Sequence, residues 1–266
     1  MIPAPLRVTI VQADLAWGDK KTNLDNLTRL LQQHEEETDL IILPEMFATG
    51  FLTEPEETWE PTDGEVMQWM SSMASTHNAV ISSSIAIKEN GKYYNRLVWM
   101  RPDGTYEKYD KRHLFSMGNE HEHFTPGFEP LIVELKGWKI KPLVCYDLRF
   151  PVWSKNRYRE GSYEYDMLFY VASWPDVRRI AWQTLLAARA IENLSYCVGV
   201  NRVGPDTKGY PHSGGSVIHD YKGRMLTGCA DNTSEAVTFE LDYQSLKDFR
   251  EHFNVGPDWD FFNYEV

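Results

Sequence analysis

The chain has 266 residues, 42% of them hydrophobic and 25% charged, with 9 Trp, 14 Tyr and 12 Phe; it is long enough to bury a core without staples, and the mixture excludes a disordered or fibrous chain. Acidic side chains outnumber basic ones by 39 to 27, for a net charge of -12, and no Lys/Arg-rich run occurs. The counterion release that drives nucleic-acid binding is therefore missing, and an anionic membrane is an equally poor partner.

Three cysteines, Cys145, Cys197 and Cys229, are an odd, widely spaced set. They fit neither a disulfide framework nor a CxxC metal knuckle and point to a reducing, cytoplasmic compartment. The N-terminus lacks a basic region followed by a long apolar one, and no stretch approaches the ~18 apolar residues of a membrane span. The mature protein is expected to be the whole chain.

In chain order, "LRVTIVQ" reads as a strand, and Leu24, Leu27, Leu30 and Leu31 follow at helical spacing. "TDLIILPEMF" is a short apolar strand closed by Pro44, the pattern of a strand buried on both faces in a helix-covered sheet. "GEVMQWMSSMASTHN" predicts a helix, and residues 79–110 predict three strands joined at Asn90-Gly91 and Asp103-Gly104. "PLIVELKGWKIKPLVCYD" predicts a hairpin about Lys136-Gly137 whose second strand delivers Cys145. Beyond it come the strand of "YDMLFYVASWP", the helix "RIAWQTLLAARAIEN", the strand "LSYCVGVNRVG" and a hairpin about Lys222-Gly223. These strand and helix units run on without a linker, which predicts one layered α/β domain over 1–266 with its core at about 5–243. The tail, 244–266, shows no clear helical or strand period and is expected to pack on its own domain or on a partner subunit.

Glu45, Lys111 and Cys145 each stand at the carboxyl end of a predicted strand, where α/β sheets collect ligands. Taken singly they also read as a loop glutamate, a surface lysine and a core cysteine. Together they make chemical sense. A thiol is mostly neutral at pH 7, and it becomes a strong nucleophile when a carboxylate takes its proton beside a cation. The same ammonium suits a tetrahedral oxyanion, and the acid returns its proton to a departing amine.

In that order, "LPEMFATGF", "YDKRHLF" and "LVCYDLRFP" resemble the three signature segments of the nitrilase superfamily of carbon–nitrogen hydrolases. "HFTPG", "ASWP", "LLAARAIENLSYCVGVNRVG" and "HSGGSVIHDYKG" extend the likeness along nearly the whole chain. The resemblance implies a four-layer αββα sandwich and dimeric assembly; no cofactor or metal is expected, because amide hydrolysis needs neither redox chemistry nor an electron sink. The resemblance also implies a triad of Glu45 as general base, Lys111 as oxyanion stabiliser and Cys145 as the nucleophile that forms a thioester. A second glutamate ahead of the "PG" turn is implied as well, to orient the lysine; Glu120 is the better match and Glu122 the competitor.

The backbone N–H of Tyr146 completes the implied oxyanion hole. Phe47, Phe51 and Trp174 are candidate pocket walls, and core packing accounts for them nearly as well. Arg149 either binds a substrate carboxylate or pairs with Asp147. His113, His121 and His123 are expected to be solvated loop histidines rather than zinc ligands. Ser213 and Ser216 lack a nucleophile elbow, and Cys197 reads as inert core. Within the superfamily, "PEMFATGF", "HEHFTPG" and "ASWP" are similar to omega-amidases, which hydrolyse 2-oxoglutaramate and 2-oxosuccinamate. The alternatives are another amidase of the superfamily, a carbamoyl-amine hydrolase, a nitrilase, or a non-catalytic interaction module on the same scaffold.

Overall fold

The structure, a computed structural model, describes residues 2–263. Its first half runs β1 (Leu6–Gln12), α1 (Lys20–Gln33), β2 (Leu40–Ile42), α2 (Glu65–His77), β3 (Val80–Glu89), β4 (Lys92–Met100), β5 (Tyr106–Asp110) and the short α3 (Glu120–His123). Next come β6 (Val133–Leu135), β7 (Trp138–Val144), a 3-10 turn over Cys145–Arg149, α4 (Pro151–Ser154), and the small pair β8 (Tyr158–Arg159) and β9 (Ser162–Tyr163). The remainder is β10 (Met167–Val171), α5 (Arg179–Asn193), β11 (Tyr196–Val200), β12 (Val203–Pro205), β13 (Pro211–Ser213), β14 (Val217–His219), β15 (Met225–Gly228), β16 (Glu235–Leu241) and α6 (Tyr243–His252).

Side-chain alternation turns these elements into layers. In β2, Leu40 and Ile42 point into the core between two sheets, while Ile41 and the following Leu43 join a second core with Leu24, Leu27 and Leu31 of α1 and Met67 and Met70 of α2. β4 repeats the pattern: Leu97 and Trp99 face the sheet interface, and Val98 and Met100 face the helices. The first sheet has the order β16-β1-β2-β3-β4-β5 and the second β15-β14-β11-β10-β7-β6. The strands β1, β2 and β3 run parallel, as do β7, β10 and β11. Trp99 and Phe169 stack across the interface with centroids 6.3 Å apart. Trp182, Leu186 and Ala190 of α5 cover the second sheet, giving the helix–sheet–sheet–helix sandwich that the resemblance implies.

The turns follow their residues. Asn90-Gly91 and Lys136-Gly137 take positive φ at both positions, the hairpin geometry whose twist matches the flanking strands. Gly127 of the "TPG" turn is required for a different reason: a Cβ there would lie 2.1 Å from the Asp110 carbonyl oxygen. Its N–H donates to the Lys111 carbonyl, 3.0 Å away, so this turn clamps the chain on either side of that lysine.

The tail departs from expectation by forming α6. Asp242 caps it by accepting from the N–H groups of Gln244 and Ser245, and Leu246, Phe249 and Phe253 supply a short apolar stripe. Arg250 seats it. That guanidinium donates to Asp166, at 2.6 Å, and to the carbonyls of Leu194 and Tyr165, both at 2.8 Å. Beyond α6, Trp259 meets Tyr163 and the Lys155 ammonium on the chain's own surface.

Breaking a buried, hydrogen-bonded ion pair strands its partner, so Arg250→Ala should lower stability by about 3 kcal/mol or more. Urea unfolding of the variant against the parent chain measures this.

Candidate active site

Glu45 leaves β2 through Pro44, and the next residue, Met46, sits at φ 48°, so the chain turns at once and the carboxylate points back between the sheets. Lys111 follows β5 directly, where the backbone stays tethered by its N–H to the Asn95 carbonyl at 2.9 Å. Cys145 ends β7 at φ 41°, a left-handed conformation costing a non-glycine residue about 1–3 kcal/mol and typical of sites where geometry serves chemistry. Glu45 and Lys111 follow strands of the first sheet, and Cys145 follows a strand of the second.

These positions converge. The Lys111 ammonium lies 2.9 Å from Glu45 Oε1 and 2.9 Å from Glu120 Oε2, and all three side chains are fully buried. Glu45 Oε2 accepts the N–H of Ser173, 3.0 Å away, from the loop after β10. The Cys145 thiol lies close enough to Glu45 and Lys111 for both charges to act on it. The carboxylate is therefore held from both halves of the sandwich, by the Lys111 ammonium on Oε1 and the Ser173 N–H on Oε2.

Of the two candidate second glutamates, Glu120 is the one inside. It accepts from Lys111, from Asn95 Nδ2 at 2.8 Å and from the Phe115 N–H at 2.6 Å, while Glu122 is exposed. Asn95 escaped sequence reasoning. On β4 it shares the core-facing side of Leu97 and Trp99, and its amide bridges Glu45, at 2.9 Å, and Glu120. An asparagine in mid-strand, where that residue is depleted, was the available signal. Ser173 acts through its backbone and offered none.

The electrostatics follow from one cation and two carboxylates in a dry space. Burial alone would lower the affinity of Lys111 for its proton, but Glu120 and Glu45 outweigh it and hold the ammonium above its ordinary range. Burial pushes the Glu120 carboxyl up; Lys111 opposes this and Glu45 adds to it. Burial likewise pushes the Cys145 thiol well up, Glu45 reinforces the shift, and Lys111 pulls against it. Burial and Glu45 together favour a protonated resting thiol, and the neighbouring carboxylate is placed to take the proton as the sulfur attacks.

The surrounding candidates separate. Phe47, in the turn after Glu45, is fully buried in the core beneath the helices, 5.5 Å from Trp69; Phe51 places its ring 5.1 Å from the Lys111 ammonium. Tyr146 lies edge-on to Phe115 and Phe150, both at 5.1 Å. Trp174 is buried, and Arg149 lies over its ring at 4.9 Å. The pairing of Arg149 with Asp147 does not form, since Asp147 is occupied by Tyr109, His113 and the Val144 N–H. His113 is not solvated as expected: it stacks on Phe150 at 3.7 Å. His121 is exposed and His123 half-buried.

A strand-end thiol served by a buried carboxylate and ammonium, in an αββα sandwich, defines a class of amide-cleaving enzymes. The sequence profile of the Carbon-nitrogen hydrolase family matches residues 7–251, and the chain belongs to that family. It is 42% identical to omega-amidase YafV of Yersinia enterocolitica, over 97% of this chain and 98% of the relative. It is 30% identical to 2-oxoglutaramate amidase of Bacillus subtilis, over 94% and 96% of the two chains. The crystal structure of XC1258 from Xanthomonas campestris, a CN-hydrolase superfamily protein with an arsenic adduct in its active site, superposes with a TM-score of 0.96. It is 40% identical, and the match covers 98% of this chain and 100% of that one.

A thiol held neutral predicts how Cys145 reacts with iodoacetamide: alkylation should accelerate steadily as pH rises through neutrality, because only the thiolate attacks. Rates that are flat from pH 5 to 9, read by mass spectrometry at Cys145, would instead mark a resting thiolate–ammonium pair.

Proposed function

We propose that this enzyme is an omega-amidase that hydrolyses the terminal amide of a small 2-oxo acid amide, such as 2-oxoglutaramate or 2-oxosuccinamate, to the dicarboxylate and ammonia. The observation that carries the reading is the buried Lys111 between Glu45 and Glu120, with the Cys145 thiol within electrostatic reach of Glu45 and Lys111. The full-length similarity to omega-amidases supports the choice of substrate class.

Cys145 Sγ attacks the amide carbon as its proton passes to Glu45. The Lys111 ammonium and the Tyr146 N–H face the developing oxyanion. Collapse expels ammonia, which takes the proton back from Glu45, and leaves a thioester. A water then attacks that thioester, its proton goes to Glu45, and collapse returns the thiol and the carboxylate product. Glu120 has its oxygens occupied by Lys111, Asn95 and the Phe115 N–H, so its work is to hold the lysine. Trp174 carries Arg149, which has no ion pair among the described residues and is suited to the carboxylate at the far end of the substrate. Three free cysteines agree with a cytoplasmic setting.

Ammonia release separates the candidates: turnover of 2-oxoglutaramate is expected well above that of glutamine, N-carbamoyl compounds and simple nitriles, and Cys145→Ala should abolish it. Silence on 2-oxoglutaramate with turnover of another compound overturns the choice. Arg149→Leu should raise KM for 2-oxoglutaramate on the order of 10- to 100-fold, the cost of one charged hydrogen bond, and should spare an uncharged amide.

A second copy of the chain is the partner we assign. The outer face of α5 presents Ile180, Thr184, Ala187 and Ile191 at helical spacing without a charge, and Ile180 and Ile191 are 82% and 53% exposed. An apolar stripe of this kind marks an interface. Sedimentation equilibrium should return twice the chain mass, and Ile180→Asp should shift it toward the monomer.

A further inference from the structure

Asp147, two residues beyond Cys145, takes no part in the chemistry above, yet it is fully buried and both its oxygens are in use. Oδ1 accepts from the His113 N–H at 3.0 Å and from His113 Nδ1 at 2.8 Å. Oδ2 accepts from the Tyr109 hydroxyl at 2.8 Å and from the Val144 N–H at 3.1 Å. A carboxylate that already receives these donors has no proton to give, so Nδ1 of His113 carries the hydrogen.

The donors come from both halves of the sandwich. Tyr109 belongs to β5 of the first sheet and His113 to the loop carrying Lys111, whereas Asp147 and Val144 flank the nucleophile at the end of β7 in the second sheet. His113 also lies face to face with Phe150, 3.7 Å apart and 4° from parallel. The segment just after the lysine is thus fastened to the segment just after the sulfur.

We infer that the His113–Asp147 pair is the positioning element of this site, fixing the Lys111 ammonium relative to the Cys145–Tyr146 turn so that ammonium and N–H meet the same oxyanion. The pair touches neither substrate nor reacting atoms and acts through the two segments it joins. It rests on the reading of Lys111 and Cys145 given above. An oxyanion forms only after substrate has bound, so misplacing its donors penalises the chemical step and leaves ground-state binding alone.

The test is steady-state ammonia release from 2-oxoglutaramate by His113→Ala and His113→Asn, with Cys145→Ala and thermal unfolding measured alongside. Asparagine keeps a donor near the position of Nδ1 and discards the ring. His113→Ala should lose kcat on the order of 10- to 100-fold, the size of effect a misplacement of about 1 Å produces, with KM within about twofold. His113→Asn should recover most of that kcat. A general structural role would lower the melting temperature of both variants and leave asparagine no better than alanine.

Undiminished kcat in His113→Ala, a change confined to KM, or a folded His113→Asn as impaired as the alanine variant overturns the inference. If His113→Ala does not fold, the asparagine variant decides alone: kcat near that of the parent supports the inference, and a folded variant with collapsed kcat overturns it. Full activity in Cys145→Ala would overturn the reading of the site itself, a result separable from any of these.

Discussion

The Lys111 ammonium, fully buried between Glu45 and Glu120, is the interaction on which the rest of the structure depends. Two carboxylates at that separation in a dry interior repel one another, and a lone ammonium there would shed its proton. The ammonium keeps its charge through the two glutamates, and each of the three is delivered by a different element. Asn95 on β4 binds both carboxylates, the "TPG" turn clamps the backbone at Lys111, and the Phe115 N–H closes on Glu120. A shift in any of these loops unbalances a buried charge, so the elements around the cluster are held to one arrangement.

The cluster also explains why the sulfur stays protonated at rest. Burial and the Glu45 carboxylate both disfavour a thiolate at Cys145, and the Lys111 ammonium pulls against them. The proton therefore remains on sulfur until attack begins, and Glu45 stands beside the thiol to receive it. Basicity is withheld from the nucleophile and placed on its neighbour.

Much of this was legible in the sequence, for physical reasons that differ by element. The strand "LII" and the helix "RIAWQTLLAARAIEN" announce themselves because burial imposes strict periods on apolar residues, and "NG" and "KG" mark hairpins because few residues accept positive φ. α6 was missed because five of its ten residues are charged or histidine and its stripe is only Leu246, Phe249 and Phe253; what seats it is a buried arginine, which no hydropathy pattern reveals. β16 is a half-buried edge strand and gave little signal. In the site, side chains at strand ends were readable. Asn95, Ser173 and the ties of Asp147 were not, since they depend on which strands become neighbours. Of the two loop phenylalanines, Phe47 took the core-packing alternative and Phe51 lies against the lysine, a division that sequence alone leaves open.

The division of the site between the two sheets has a consequence for the life of the chain. Base and ammonium lie in the first 111 residues, and the nucleophile appears only at position 145, after a strand whose inner neighbour β10, and β11 beyond it, are encoded later still. A nascent or partly folded molecule that has completed one layer carries no working centre, and its sulfur behaves as any unactivated thiol. Catalytic competence is thus a late, collective property of the finished sandwich, and turnover reports on the whole chain having folded.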